Sequence, residues 1–269
     1  MFEFKEDLVL KNRQNSIEVR HLVLKGTNYD IGVKLAHIAK ERHSIKHNIS
    51  KDPFLTLCQK KYLEINYPIH LERMKGFSHA YGSDLSDNSI DFSMLGNPVD
   101  NISCSAIYYP PGSTESSHGI LSKNLDFNTK GMFGRQSDCG ALSKPYIAEI
   151  YPDKGYSSLI IFSYELFGQS LEGINSEGLI VTHLADCETP GESSKEATLR
   201  HSIGINEMQS IQLLLDTCSN VEEAKKALLI NKHYYMMVPV HLLIGDKYGN
   251  SFIWEFCNAP RCQDTDSEK

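Results

Sequence analysis

From residue 146 onward the chain contains several short apolar segments separated by turn residues, and this pattern limits the possible folds more than any other feature of the sequence. The segments YIAEIY, SSLIIFSY and LEGINSEGLIVTHLA predict strands, with a hairpin turn at residues 175–178 inside the last of them. A later segment, VPVHLLIGDKYGNSFIWEF, predicts two more strands around a second turn. Strands joined by such tight turns are antiparallel neighbours.

The first third of the chain has a different pattern of apolar residues, mostly at helical spacing. The segment IEVRHLVLK alternates as a strand does, and apolar residues then recur at helical spacing through residues 31–39. Pro53 and Pro68 each open a further helical segment, at a position that proline tolerates. Two more helices are predicted at 206–217 and 219–230. The whole pattern predicts an α+β fold with antiparallel sheets.

Composition excludes several partners. The 27 Lys and Arg against 34 Asp and Glu give a net charge of −7, which argues against nucleic acid or an anionic membrane as a partner. The N-terminus has no recognisable signal peptide, and no apolar run reaches the roughly 18 residues that a membrane helix needs. The 7 cysteines are odd in number and irregular in spacing, which favours free thiols and no metal site. We therefore expect a cytoplasmic protein.

One stretch, NISCSAIYYPPGSTESSHGILSKNLDF at 101–127, carries an unusual pair of polar residues. It predicts a hairpin, and if that hairpin is symmetric about residue 115, Cys104 lies opposite Asp126 on the same face. A thiol facing a carboxylate indicates a nucleophile and a group that assists it. The same pair is also compatible with a small buried cysteine and a strand-end aspartate in a turn hydrogen bond. Spacing alone leaves both interpretations open.

The order of motifs around this hairpin resembles one enzyme group. Cys-Ser-Ala-Ile, the hairpin and then SKNLDF are similar to the start of N-terminal nucleophile (Ntn) hydrolases of the choloylglycine hydrolase and penicillin acyltransferase group. GINSEGLIVTHLA at 173–185 is similar to that group's Asn-x-x-Gly-Leu hairpin, and residues 221–256 are similar to its later helix and hairpin. Upstream, GTNYDIGVKLAHIAK resembles the prosegment of the acyltransferase-like members. The resemblance covers most of residues 17–256.

This resemblance implies a fold and an activation step. The implied fold is a four-layer αββα sandwich, in which two antiparallel sheets lie between helices. The resemblance implies a cut between Ser103 and Cys104, after which the thiol of Cys104 would be the nucleophile and its new α-amine, with an ordinary pKa of about 8, the base. By the same resemblance, Asp126 is expected to hold that amine. Residues 1–103 are then a prosegment or small subunit, and residues 104–269 form the hydrolase core.

The resemblance also implies the reaction class. An acyl group of a linear amide is hydrolysed or transferred through a thioester of Cys104, so the expected partner is a small-molecule amide or acyl donor. No metal ion or organic cofactor is implied. The formation of a homo-oligomer is left open.

Three departures from the family pattern bear on activity. Lys123 replaces the family's arginine; it keeps the charge, but in an ideal pleat it points away from Cys104 unless a bulge turns it inward. Ala185 stands where the bile-salt-hydrolase branch has an oxyanion-binding asparagine, and His183 on the same face is the candidate replacement. The chain reaches Lys269 without a counterpart of a later active-site asparagine, so we expect a short C-terminal part.

Two further residues are candidates for the substrate pocket. By strand alternation Tyr108 faces the Cys104 side, as a pocket wall would. Asn175 is the family's hairpin asparagine, for which a turn role is the simpler interpretation. Because of the departures, a catalytically inactive relative that serves as a binding or assembly subunit stays an alternative. The other alternative is an unrelated α+β protein in which Cys104 only packs in the core.

Overall fold

An eight-stranded sheet is the largest element of the part of the chain that the structure describes. The structure is a computed structural model that describes residues 1–11, 17–93, 103–115, 117–126, 143–163, 166–167, 170–185, 203–234 and 240–255. Eight strands form the sheet, in the spatial order β1 (Glu3–Lys11), β2 (Glu18–Gly26), β7 (Tyr146–Pro152), β8 (Ser158–Phe162), β9 (Ser170–Asn175), β10 (Ile180–Ala185), β13 (Val240–Gly245) and β14 (Ser251–Trp254). The strands predicted after residue 146 are therefore confirmed.

Two features of this sheet were not predicted. The N-terminal segment EFKEDLVLK forms β1, an edge strand that pairs with β2. The pair of β2 and β7 is parallel, whereas all other neighbours in the sheet are antiparallel. A parallel pair needs a long crossover, and the whole segment between β2 and β7 supplies it.

Short strand pairs complete the strand inventory of the described residues. β3 (Asn48–Ile49) pairs with β4 (Ile90–Asp91), and β11 (Ile205–Asn206) pairs with β12 (His233–Tyr234). The remaining strands, β5 (Ser103–Tyr109) and β6 (Ile120–Asp126), form a separate hairpin.

The predicted helices are confirmed. They are α1 (Asn28–His43), α2 (Pro53–Asn66), α3 (Pro68–Ala80), α4 (Glu207–Thr217) and α5 (Val221–Ile230). Pro53 and Pro68 occupy first-turn positions, where their missing N–H is not needed. Helix α5 begins two residues later than the predicted start at 219, because Asn220 is its N-cap and its side chain accepts from Glu223 N. No helix of the described residues is long and apolar enough to cross a membrane.

Two glycines allow α1 and α3 to pack closely. A Cβ at Gly32 would collide with the backbone carbonyl of Arg73, and a Cβ at Gly76 would collide with the carbonyl of Tyr29. Backbones in such contact leave no room for a side chain. This crossing therefore fixes α1 and α3 against each other.

The helices and the hairpin lie on opposite faces of the sheet. Gly173 of β9 lies against Leu215 of α4, while Gly245 of β13 lies against the ring of Tyr108 in the hairpin. The two glycines pair with consecutive residues of β10, and consecutive residues point to opposite faces. The described residues thus form a helical layer, the large sheet and the hairpin. The four-layer sandwich stays a prediction.

A buried ion pair ties the helices together. Arg73 of α3 donates from Nη1 and Nη2 to the two carboxylate oxygens of Asp216 in α4, at 2.7 and 2.9 Å. Tyr67 donates its hydroxyl to the same carboxylate at 2.5 Å, and Arg73 Nε donates to Asn28 Oδ1 at 2.9 Å. All four side chains are buried. The charges are therefore matched inside the core, as buried charges must be.

The predicted boundary between residues 1–103 and 104–269 does not separate two bodies in this sheet. Strand β2 of the first part pairs with β7 of the second, and the Arg73–Asp216 ion pair joins helices from both parts. A cut at this boundary would leave two chains that share one sheet. The cut itself stays a prediction.

Candidate active site

The predicted hairpin exists, but its register differs by one residue. Cys104 pairs with Leu125, and Asp126 pairs with Ser103. The loop spans residues 110–119 and begins with a 3₁₀ turn at Pro111–Ser113, so the hairpin is symmetric between residues 114 and 115. The expectation that Cys104 lies opposite Asp126 is therefore wrong.

This shift exchanges the faces of the site residues, because side chains alternate along a strand. Asp126 lies on the exposed face, where its carboxylate accepts from Asn124 Nδ2 at 3.1 Å. Lys123 lies on the inner face together with Cys104, and no bulge is needed to bring it there. The expectation that Lys123 points away from Cys104 is also wrong. The catalytic roles of these residues stay predictions.

Lys123 is buried between the hairpin and the sheet. Its side chain is 3% exposed, and its Nζ lies 2.7 Å from Glu172 Oε2 in β9. The ammonium also lies 3.5 Å from the carbonyl oxygen of Leu171, at the limit of a hydrogen bond. A positive charge is thus fixed beneath the hairpin, on the side that carries the thiol of Cys104.

Tyr108 faces the Cys104 side of the hairpin, as predicted. Its ring covers Gly245, where a Cβ would lie 2.6 Å from the ring, and its hydroxyl donates to the carbonyl oxygen of Asp246 at 2.5 Å. Desolvation raises the pKa of Tyr108. The ring therefore anchors the hairpin to β13, and its role as a pocket wall stays a prediction.

His183 is buried on the other face of the sheet. It pairs with Leu242, which belongs to the hydrophobic core under the helices, and its Nδ1 lies 2.9 Å from the carbonyl oxygen of Leu171. Burial, and then the charge of Lys123, lower the pKa of His183 to about 3, so its ring is neutral at pH 7. The structure does not bring His183 to the Cys104 face, which removes the geometric basis for a donor role there.

The side chain of Asn175 is fully used by the fold. Its Nδ2 donates to the carbonyl oxygens of Leu215 and Cys218 at 3.0 and 2.7 Å, at the C-terminus of α4. Its Oδ1 accepts from the backbone N–H of Glu177 and Leu179 at 3.1 and 3.0 Å. Both donors and both acceptor positions have partners, so the simpler turn interpretation fits the geometry.

The other described thiols differ from Cys104 in their surroundings. Cys104 is half-buried in the hairpin, and the free thiol of Cys58 lies in α2. Cys218 is buried at the end of α4, where burial raises the pKa of its thiol to about 11. Such a thiol is a weak nucleophile near neutral pH. Within the described ranges no group of three or more His, Cys, Asp or Glu is arranged to hold a metal ion.

Sequence reasoning missed Glu172 and the Arg73–Asp216 ion pair. A single acidic residue inside the apolar strand segment LEGIN was the available signal for Glu172. No local pattern separates Arg73 or Asp216 from the charged residues that cover a helix surface. Their pairing appears only when α3 and α4 are packed together.

Comparison with known proteins identifies one matching family. Residues 114–269, more than half of the chain, match the family described as acyl-coenzyme A:6-aminopenicillanic acid acyl-transferase. The match includes Lys123, Asp126 and Glu172, and it begins ten residues after Cys104. No curated protein sequence is significantly similar to this chain.

Two solved structures show partial similarity. Penicillin V acylase from Agrobacterium tumefaciens is 18% identical with a TM-score of 0.31, covering 62% of this chain and 42% of that protein. A variant of conjugated bile acid hydrolase from Clostridium perfringens is 16% identical with a TM-score of 0.23, covering 61% of this chain and 44% of that protein. The chain thus spans less than half the length of either, and at these scores the similarities carry no further argument.

Proposed function

The chain belongs to the acyl-coenzyme A:6-aminopenicillanic acid acyl-transferase family, and from this premise we propose that it hydrolyses or transfers an acyl group at a linear amide bond, with Cys104 as the nucleophile. The family resemblance inferred from the sequence is confirmed by the same match. The observation that carries the proposal is the shared inner face of Cys104 and the buried ammonium of Lys123. A fixed positive charge beside a thiol stabilises its thiolate, which is the reactive form.

The activation step is a cut at the Ser103–Cys104 bond. The thiol of Cys104 attacks the carbonyl carbon of Ser103, the C–N bond breaks, and the nitrogen takes a proton to become the α-amine of Cys104. Water then hydrolyses the resulting ester of the thiol, which frees the thiol and leaves a carboxylate on Ser103. The product has nucleophile and base on one residue.

The acyl-transfer cycle uses the same two groups. The α-amine of Cys104 accepts the thiol proton, the thiolate attacks the acyl carbon of the amide, and the leaving amine takes that proton. A thioester remains, and water or an acceptor amine resolves it. The family's name describes transfer of an acyl group from a coenzyme A thioester to an amine, which corresponds to the outcome in which an acceptor amine resolves the thioester.

We assign roles to the neighbouring charges on the same basis. Lys123 stabilises the Cys104 thiolate. Asp126 faces Ser103 across the ladder, beside the position that the new amine of Cys104 takes after the cut. Asp126 therefore holds that amine only if its carboxylate turns from the exposed face toward the strand end.

The four-layer αββα arrangement is also proposed. The face of the large sheet that carries the hairpin still exposes apolar side chains in its middle strands. Leu159 of β8 and Ile174 of β9 are 38% and 39% exposed there. In a four-layer fold a second sheet would cover this face, and the hairpin is the described part of it.

A screen with N-acyl amides of differing acyl groups tests this function, with release of the amine as the readout. We expect activity that Cys104→Ala abolishes. Cys218→Ala, which removes a buried thiol far from the hairpin, is the matched control and should retain activity in its folded fraction. Release that is equal in the Cys104→Ala variant would overturn the proposal.

A catalytically inactive relative is the second candidate function. The observations that favour it are the outward direction of Asp126 and the alanine at position 185, which supplies no oxyanion donor. Such a protein would bind acyl amides without turnover. Saturable binding in the same screen, with no release of amine in any sample, would favour this candidate.

A further inference from the structure

We propose that Glu172 is a positioning residue of this site, whose carboxylate holds the ammonium of Lys123 on the face of the hairpin that carries the Cys104 thiol. This inference deepens the proposed function and rests on Cys104 as its nucleophile. Nothing in the family resemblance assigns a role to Glu172.

Burial makes the position of the Lys123 ammonium depend on its protein neighbours. With 3% of its side chain exposed, the ammonium has almost no contact with solvent, so protein groups must compensate its charge. Glu172 Oε2 at 2.7 Å is the carboxylate that does so, and the Leu171 carbonyl at 3.5 Å adds only a marginal contact. The position of the charge therefore depends on Glu172.

Glu172 lies on a strand that is paired on both sides. Strand β9 lies inside the sheet, with Glu172 opposite Ile161 of β8 and Thr182 of β10. Thr182 Oγ1 donates to Glu172 Oε2 at 3.4 Å, and the carboxylate is 23% exposed. A carboxylate on a paired strand is held more accurately than one on a loop.

Lys123 and Cys104 are neighbours across the ladder of the hairpin. Lys123 pairs with Ala106, so Cys104 is its diagonal neighbour on the same face, and such neighbours are roughly 7–8 Å apart. A lysine side chain can extend toward that neighbour, but it is flexible and lacks the rigid fork of arginine. Without a partner the ammonium would not stay in one place.

Few other titratable groups of the described residues face this side of the hairpin. The hairpin itself contributes Tyr108, and β13 contributes His241, whose Nδ1 lies 2.9 Å from Glu255 Oε1. Thr182 of β10 lies on the same face of the sheet as Glu172, but it is not a titratable residue. Among these groups, Lys123 and Glu172 form the ion pair that lies beneath the hairpin.

The test is the pH dependence of Cys104 alkylation by iodoacetamide, resolved by peptide mass spectrometry. Lys123→Met removes the stabilising charge and should slow alkylation at pH 7 about tenfold. Glu172→Gln should slow it in the same direction, because the ammonium is no longer held near the thiol. Loss of a nearby carboxylate by itself would have the opposite effect, so the sign identifies the mechanism.

The double variant Lys123→Met/Glu172→Gln completes the cycle. Adding Glu172→Gln to Lys123→Met should leave alkylation unchanged or speed it, since no ammonium remains to be positioned. Glu177→Gln, which removes an exposed carboxylate in the turn after β9, is the matched control and should match the native profile. If Glu172→Gln does not fold, Glu172→Asp, which retracts the carboxylate by one methylene, should slow alkylation partially.

Faster alkylation in Glu172→Gln would overturn the inference, because it would show that Glu172 only neutralises Lys123. An unchanged rate in Glu172→Gln, or in Glu172→Asp where that variant replaces it, would overturn it as well. The readout needs neither a substrate nor a cut chain. Failure of this inference is therefore distinguishable from failure of the proposed function, which the amine-release screen reports.

Discussion

Replacing Asp216 by asparagine is expected to lower the free energy of unfolding by about 3–5 kcal/mol. Arg73, Asp216 and Tyr67 are each at most 1% exposed, and the carboxylate of Asp216 accepts from both of the other side chains. Asparagine has nearly the same size but no charge. The guanidinium of Arg73 would then be a buried cation without a counter-ion.

The magnitude follows from desolvation. Removing one partner of a buried ion pair leaves the full penalty of the other charge, whereas replacing both partners by apolar groups is often neutral or stabilising by about 1–4 kcal/mol. The double variant Arg73→Met/Asp216→Leu should therefore be more stable than Asp216→Asn alone. Against a typical domain stability of about 5–15 kcal/mol, the single variant loses a large share.

Urea unfolding followed by circular dichroism measures these differences. Glu72→Gln is the matched control, since it breaks a surface ion pair with Lys75 in the same helix and should change stability by about 0.5 kcal/mol or less. The reasoning would be refuted if Asp216→Asn unfolded within about 1 kcal/mol of the native protein. It would also fail if the apolar double variant were the less stable of the two.

Three further outcomes are expected. Gly76→Ala should destabilise the protein by about 1–3 kcal/mol, because the added Cβ collides with a backbone carbonyl of α1. Gly112→Ala, where the added Cβ has no neighbours, should be nearly neutral. Equal urea midpoints for the two variants would contradict the close packing of α1 and α3. His183 has a pKa of about 3 in the folded protein, so its stabilising effect is complete above about pH 6.5 and is lost as pH falls toward 3. His183→Gln should therefore reduce the loss of folding free energy between pH 7.5 and 5 by about 2 kcal/mol. An unchanged dependence of the folding free energy on pH would refute this. Cys218 should alkylate at least about tenfold more slowly than Cys104 at pH 8, and comparable rates would contradict its burial.

Elements with strong local patterns could be predicted from the sequence. Helix α1 and the β9–β10 hairpin follow directly from helical spacing and from a four-residue turn at 175–178. The order of these elements was also sufficient to indicate the family. Local patterns determine these features because the interactions that form them lie within a few residues of each other.

The faces of the hairpin could not be predicted in the same way. Symmetry about residue 115 placed Asp126 opposite Cys104, but the 3₁₀ turn at Pro111–Ser113 moves the centre by half a residue. That small change exchanges Asp126 and Lys123 between the outer and inner faces. Loop conformation therefore decided which charge approaches the thiol.

Contacts between distant segments were also beyond the sequence. In the sequence, Glu172 and Lys123 each occupy a polar position of an alternating strand pattern. They become an ion pair only because the hairpin packs on the sheet. The parallel pairing of β2 with β7 depends likewise on how the intervening helices pack. No pattern within either segment specifies its partner.

The intact mass of the purified protein under denaturing conditions, measured beside a Cys104→Ala control, shows whether Cys104 cuts its own chain. We predict two species, residues 1–103 and 104–269, and an uncut control. A single species of 269 residues in both samples would contradict the proposed mechanism, since Cys104 would then have no free α-amine to act as the base.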